Sequence, residues 1–201
     1  MDTDSDRPMM QRCIALSVRG GEEGEYPYGV VISRAGAVVC ESINRVSHDR
    51  DVTRHAEVVA ISQAQRTLAT VSLDDCTIYV SAEPCAYCCY AIRESRIRRV
   101  VYALRSPHMG GVSKWPVLTD RDISKSLPEV FAEPPDILAG FMAQEAEAAL
   151  LAWNPLVAGV MMERGLFVSG PFAAARNRDG GLWERASALL RRTVFDRFGR
   201  G

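Results

Sequence analysis

No apolar run in this chain reaches the roughly 18 to 20 residues that a membrane-spanning helix requires, so no transmembrane segment is expected. The opening residues Met1-Asp2-Thr3-Asp4-Ser5-Asp6 are acidic and lack the apolar stretch of a signal peptide, which makes a cytoplasmic location the expectation. Charge of one sign is missing too. Lys and Arg number 24 against 25 Asp and Glu, for a net charge of -1, which argues against a uniformly basic nucleic-acid binder and leaves room only for a local patch. Neither internal repeats nor a low-complexity tract are present. The six cysteines are too scattered for a disulfide scaffold. Cys13, Cys40, Cys76 and Cys89 read as small buried hydrophobes, and only Cys85 and Cys88 stand at ligand spacing beside a helix start.

What is present is globular. At 201 residues, 47% hydrophobic and 24% charged, the chain suits one domain of ordinary size with an extension. Residues 8–19 suggest a first helix that ends at Gly20-Gly21. Residues 29–33 and 37–43 read as two strands of a hairpin turning at Ala35-Gly36, followed by an irregular polar stretch from Asn44 to Arg54. Residues 55–69 have helical spacing with Thr53 or Asp51 as N-cap, and residues 76–81 form a third strand. Pro84 suits the first position of a helix running to about Arg96, because a missing N–H is harmless there. Strands at 99–103 and 136–140 and a helix at 143–153 complete the unit, with a long functional loop at 105–134. Strands separated by helices imply crossovers and an α/β sandwich. The expected division is a core domain over 1–154 and an extension over 155–201, the latter ending in an amphipathic helix near 181–198.

Two short clusters carry chemistry: His55-Ala56-Glu57, and Pro84-Cys85-Ala86-Tyr87-Cys88. Together they offer one imidazole, two thiols and a spare carboxylate. Three such ligands would leave a zinc ion a fourth position for water, with a base at hand to move its protons. Cys85 and Cys88, three apart near a helix start, share one face, and the positive helix end favours thiolates. His55 and Glu57 diverge by about 200° in a regular helix, so both reach one point only if the metal lies beyond the helix end. The rival readings are a redox Cys-x-x-Cys pair, which leaves His55 and Glu57 unexplained, and a closed structural zinc site. The latter needs a fourth ligand, and the one nearby candidate, Cys89, is turned about 100° from Cys88.

The order H-x-E…P-C-x-x-C resembles the zinc nucleobase deaminases. From Tyr28 to Trp153 the chain is similar to the cytidine-deaminase-like superfamily, especially the branch of bacterial tRNA adenosine deaminases, guanine deaminases and fungal cytosine deaminase. The resemblance rests on residues 27–31, Asn44, residues 51–57, residues 83–88 and the tRNA-editing-like run 95–102. It implies a three-layer α/β/α sandwich with a five-stranded mixed sheet, a Zn2+ cofactor held by His55, Cys85 and Cys88, and Glu57 as proton shuttle. It also implies a small heterocyclic substrate and a homodimer or larger assembly. Asn44 matches the asparagine that hydrogen-bonds the base, Tyr28 lies where a residue flanks the ring, and backbone around Ala82, Glu83 and Cys85 would line the exocyclic amine. The loop Ser106–Trp115 departs from the Lys-Thr-Gly-Ala type of the tRNA-editing members, so tRNA adenosine deamination stands as the alternative substrate reading. A catalytically silent deaminase-like partner subunit is the alternative of another class, and the presence of Glu57 speaks against it.

His108 and Trp115 follow the fourth strand, where ligand mouths of such sheets lie, and are candidate substrate contacts beside the ordinary readings of solvated histidine and loop anchor. Arg191, Arg192, Arg197 and Arg200 would form either a solvated helix face or a basic surface for RNA.

Overall fold

Alternation of apolar side chains along the strands decides the layering. The structure, a computed structural model, describes residues 4–170. The helix expected near 181–198, with its four arginines, lies outside those described residues. Along the chain run α1 (Asp6–Glu22), β1 (Gly29–Arg34), β2 (Ala37–Ile43), α2 (Val46–Asp49), α3 (Ala56–Leu68), β3 (Cys76–Ala82), α4 (Ala86–Glu94), β4 (Arg99–Leu104), α5 (Arg121–Ser126), β5 (Asp136–Ala139), α6 (Ala143–Trp153) and α7 (Pro155–Glu163). The five strands form one mixed sheet in the order β2-β1-β3-β4-β5. β1 is antiparallel to β2 and β3, whereas β3, β4 and β5 run parallel.

Side chains alternate across this sheet, so each transverse row belongs to one face. Val31, Tyr79 and Val101 are in register and join a core with Cys13 and Leu16 of α1, Leu150 of α6 and Met161 of α7. The next row, Val30, Val80 and Tyr102, packs on the other face with Ala60 and Ala64 of α3 and Ile92 of α4. This is the three-layer sandwich. Asn154 ends α6 and starts α7, its Oδ1 accepting from the Val157 N–H at 3.0 Å. Val157, Ala158, Met161 and Phe167 are then buried in the same core as α1 and α6. Among the described residues no helix is long and apolar enough to cross a membrane.

Several local expectations are corrected. The N-cap of α3 is His55 itself; Asp51 instead caps the preceding turn, accepting from both the N–H and the hydroxyl of Thr53. Pro84 lies ahead of α4, whose N-cap is Cys85, and the helix ends at Glu94, with Arg96 at φ 63 turning the chain. The 44–54 stretch contains the short α2, and the 105–134 loop contains α5, capped by the Asp120 carboxylate. That loop is held from within the protein. The buried Arg93 guanidinium donates to the carbonyls of Val117, Asp120 and Ala132 and to the Ser124 hydroxyl.

Candidate active site

Two helices begin at the same place. His55 caps α3 with φ -61 and ψ 147, and Cys85 caps α4 with φ -69 and ψ 167, both extended. Because His55 stands just outside the helix and Glu57 lies in its first turn, the 200° divergence of an ideal helix does not apply. This resolves the geometric difficulty in the sequence. Glu57 is 8% exposed.

The ligand atoms form a tight triangle. Cys85 Sγ is 3.6 Å from Cys88 Sγ, His55 Nδ1 is 3.6 Å from Cys85 Sγ, and it is 3.3 Å from Cys88 Sγ. Zinc at bond lengths of about 2.3 Å to sulfur and about 2.05 Å to nitrogen needs tetrahedral edges of about 3.8 Å for S···S and about 3.6 Å for S···N. All three edges fall within about 0.3 Å of these, so the residues fit the metal. Among the described residues these three form the one group able to hold an ion. Cys89 is turned away, its thiol donating to the Pro84 carbonyl at 3.4 Å.

The electrostatics favour a cation. Cys85 is pulled down to about 4, first by the hydrogen bond from Cys88 and then by His55, although burial opposes this. Cys88, the donor of that pair, is pushed well up, while the Cys85 contact raises the His55 imidazole. The positive ends of two helices also favour a thiolate there. Burial, followed by the Cys85 charge, lifts Glu57 to about 6, a range suited to carrying protons near neutrality.

Around this centre the structure gathers other expected residues. Asn44 is buried and its Nδ2 donates to Glu25 Oε2 at 2.9 Å; its backbone N–H donates to the Tyr28 carbonyl. Glu57, Cys85 and Cys88 lie within electrostatic reach of the Tyr28 hydroxyl, whose pKa burial pushes far up. Ala82 and Tyr28 line one small cavity. Glu83 sits beside the site, but its carboxylate is committed elsewhere: it accepts from the N–H groups of Ser106, Val112 and Ser113 and from the Ser113 hydroxyl. Its amide donates to the Leu104 carbonyl. Gly110, on the loop so held, pairs with Cys85 in an antiparallel bridge. A Cβ on Gly110 would lie 2.1 Å from Glu83 Oε1, and one on Gly111 would lie 2.2 Å from Cys89 Sγ, so only glycine allows this approach. His108 and Trp115 are exposed on the same loop, with the Lys114 ammonium 5.6 Å from the Trp115 ring centre.

Residues 3–104 match the family described as the cytidine and deoxycytidylate deaminase zinc-binding region. The chain belongs to this family. It is thereby a member of a group of deaminases, hydrolases of carbon–nitrogen bonds whose family model describes a zinc-binding region, and its His55, Cys85 and Cys88 form a group able to bind a metal. The tRNA-specific adenosine deaminase of Aquifex aeolicus is 41% identical over 103 residues, 51% of this chain and 68% of that one. The guanine deaminase of Bacillus subtilis is 41% identical over 95 residues, 47% of this chain and 61% of that one. A solved structure from work on A-to-I editing by tRNA:A34 deaminases has TM-score 0.62 at 31% identity, covering 71% of this chain and 99% of that chain.

Sequence reasoning missed Glu25 and the glycine pair. Glu25 is 5% exposed and, besides Asn44, accepts from the N–H groups of Ser47 and His48 at the start of α2. A lone glutamate ending a polar loop reads as solvated, and nothing local marks it otherwise. The Gly110-Gly111 pair was visible as a doublet, yet its partners, Glu83 just past β3 and Cys89 of α4, lie more than 20 positions away.

Proposed function

We propose that this chain is a zinc-dependent hydrolytic deaminase that converts an exocyclic amine on a small nucleobase, nucleoside or related nitrogen heterocycle to a carbonyl, releasing ammonia. The observation that carries this reading is the His55–Cys85–Cys88 triangle, three-sided and sized for zinc, with the buried Glu57 carboxyl beside it. A closed structural site would need a fourth side chain, and Cys89 is spent on the Pro84 carbonyl.

Zinc in that triangle supplies Lewis acidity that eases ionisation of water. Glu57 does the proton work: its carboxylate takes a proton from the attacking water and gives it to the ring nitrogen, then takes the proton of the newly added hydroxyl and delivers it to the amine, which leaves as ammonia while the C–N bond breaks and the C=O bond forms. Asn44, fixed through Nδ2 by Glu25, offers its Oδ1 to a ring N–H. Tyr28 walls the ring, and the backbone from Ala82 to Cys85 faces the amine. Glu57→Ala is expected to keep its zinc and lose about 10²- to 10⁴-fold in turnover. Ammonia release from aminopurines, aminopyrimidines and their nucleosides, with zinc content measured in parallel, tests both statements; a zinc-loaded wild type inert to the whole panel would end the reading.

A second substrate reading, adenosine within transfer RNA, is supported by the tRNA:A34 deaminase structure being covered almost throughout. Phosphate contacts would make such binding steeply salt-dependent. Absence of tRNA binding at low salt would remove it.

A further inference from the structure

We propose that Phe167, carried by the chain beyond α7, is a positioning residue for the substrate pocket: it backs the Tyr28 ring and so sets how far that ring stands beside the metal triangle. This rests on the deaminase reading above and deepens it.

The segment around Phe167 is tied to the exit of β4. Arg105 and Val168 exchange both backbone hydrogen bonds, at 2.9 and 3.0 Å, and Ser106 Oγ donates to the Leu166 carbonyl at 3.1 Å. Phe167 itself is 3% exposed and packs in the core that holds Ala82, Leu104 and Leu150. Its ring meets Tyr28 edge to face, with centroids 6.0 Å apart and planes at 65°. Tyr26 stacks on Tyr28 at 6.1 Å and 20°, so the Tyr28 ring has two aromatic neighbours. Tyr28 also reaches the candidate substrate side: its carbonyl accepts from the Asn44 N–H at 3.2 Å, and it lines one cavity with Ala82, two residues ahead of Pro84-Cys85. Tyr28 therefore links the segment to the residues proposed to hold the base.

The ring is not fully backed by close packing. A small cavity bounded by Tyr28, Ser81, Ala82, Leu104, Leu150 and Phe167 adjoins it toward α1 and α6. Deleting the Phe167 ring would merge its volume with that cavity and give Tyr28 room to retreat. A substrate must then re-order Tyr28 on binding, which raises KM. The proton path through Glu57 is untouched, so kcat holds. In this arrangement the extension serves the site of its own chain.

The test compares zinc-loaded full-length wild type with Phe167→Ala and, because truncating a buried ring also weakens the core, with Phe167→Leu. The substrate is whichever of guanine, adenine, cytosine and their nucleosides the wild type deaminates fastest. KM is expected to rise about three- to tenfold in the alanine variant, the worth of an aromatic contact, with kcat within about twofold and leucine in between. Fluorine NMR of fluorotyrosine-labelled protein, with Tyr28 assigned by Tyr28→Phe, reads the wall without turnover, and its signal is expected to shift and sharpen in both variants. A wild type that releases no ammonia defeats the deaminase reading alone. An unmoved Tyr28 signal, an unchanged KM, or a kcat that falls in step with kcat/KM overturns the present inference.

Discussion

Replacing Glu83 by glutamine changes one atom of a side chain that organises the loop beside the metal centre. The carboxylate accepts four hydrogen bonds: Ser106 N–H and Ser113 Oγ on Oε2, at 2.8 and 2.6 Å, and the N–H groups of Val112 and Ser113 on Oε1, at 3.0 and 2.6 Å. In Glu83→Gln one oxygen keeps its two donors. The new NH2 faces the other two. The Ser113 hydroxyl can rotate to accept, but the Ser106 N–H cannot, and it is left buried against another donor. Losing one charge-assisted bond and orphaning one amide is worth roughly 2–4 kcal/mol. For a chain of this size that lowers Tm by roughly 4–16 °C. Calorimetry measures the shift, and amide exchange over 105–113 should speed up while that of β1 does not. Because Gly110 pairs with Cys85, zinc should also pass to a chelator faster. A variant that melts within about 1 °C of wild type, with unaltered exchange in the loop, would refute the assignment.

Chelation of zinc should lower Tm by roughly 8–16 °C, the equivalent of about 4 kcal/mol for metal at a thousand times its Kd; identical melts with and without metal would show that the triangle is not filled. Asp6 is held below its ordinary value: burial alone would raise it, but hydrogen bonds from Arg99 and Tyr79 outweigh that. A depressed folded pKa gives stability present above the unfolded value of about 3.9 and lost as pH falls through the folded one. Asp6→Asn should therefore melt lower than wild type at about pH 7, and the gap should close toward about pH 3; a gap independent of pH contradicts the pairing. Gly111→Ala should cut folded yield, because the added carbon lies 2.2 Å from Cys89 Sγ, whereas Gly159→Ala in α7, with nothing within 4 Å, should stabilise by about 0.5–1 kcal/mol in denaturant titrations.

The central strands β1, β3 and β4 were legible because they keep apolar residues on buried rows, the edge strands β2 and β5 because their apolar runs stand between turns, and the candidate metal centre because its residues fall within two short motifs. What could not be read depends on partners distant in sequence. Glu83 reads in the sequence as backbone lining the exocyclic amine, yet its side chain is satisfied by amides and a hydroxyl 23 to 30 positions on. Glu25 orients Asn44 from 19 positions away. The helix starts were misjudged by one or two residues for a related reason: Thr53, Asp51 and Pro84 are good local punctuation, but the positions at the N-caps are held by His55 and Cys85, whose side chains converge on one another rather than on their own helix ends.

Arg93 reaches carbonyls 24 to 39 residues downstream, spanning most of the way from β4 to β5. One planar cation thereby does for this crossover what pairing does for a strand. The consequence is a length constraint with gaps in it. Extra residues are tolerated between the clasped carbonyls of Asp120 and Ala132 only where Ser124 still returns to the Arg93 guanidinium and where the exposed turn at Pro128 and Glu129 still offers its carbonyls to Arg96.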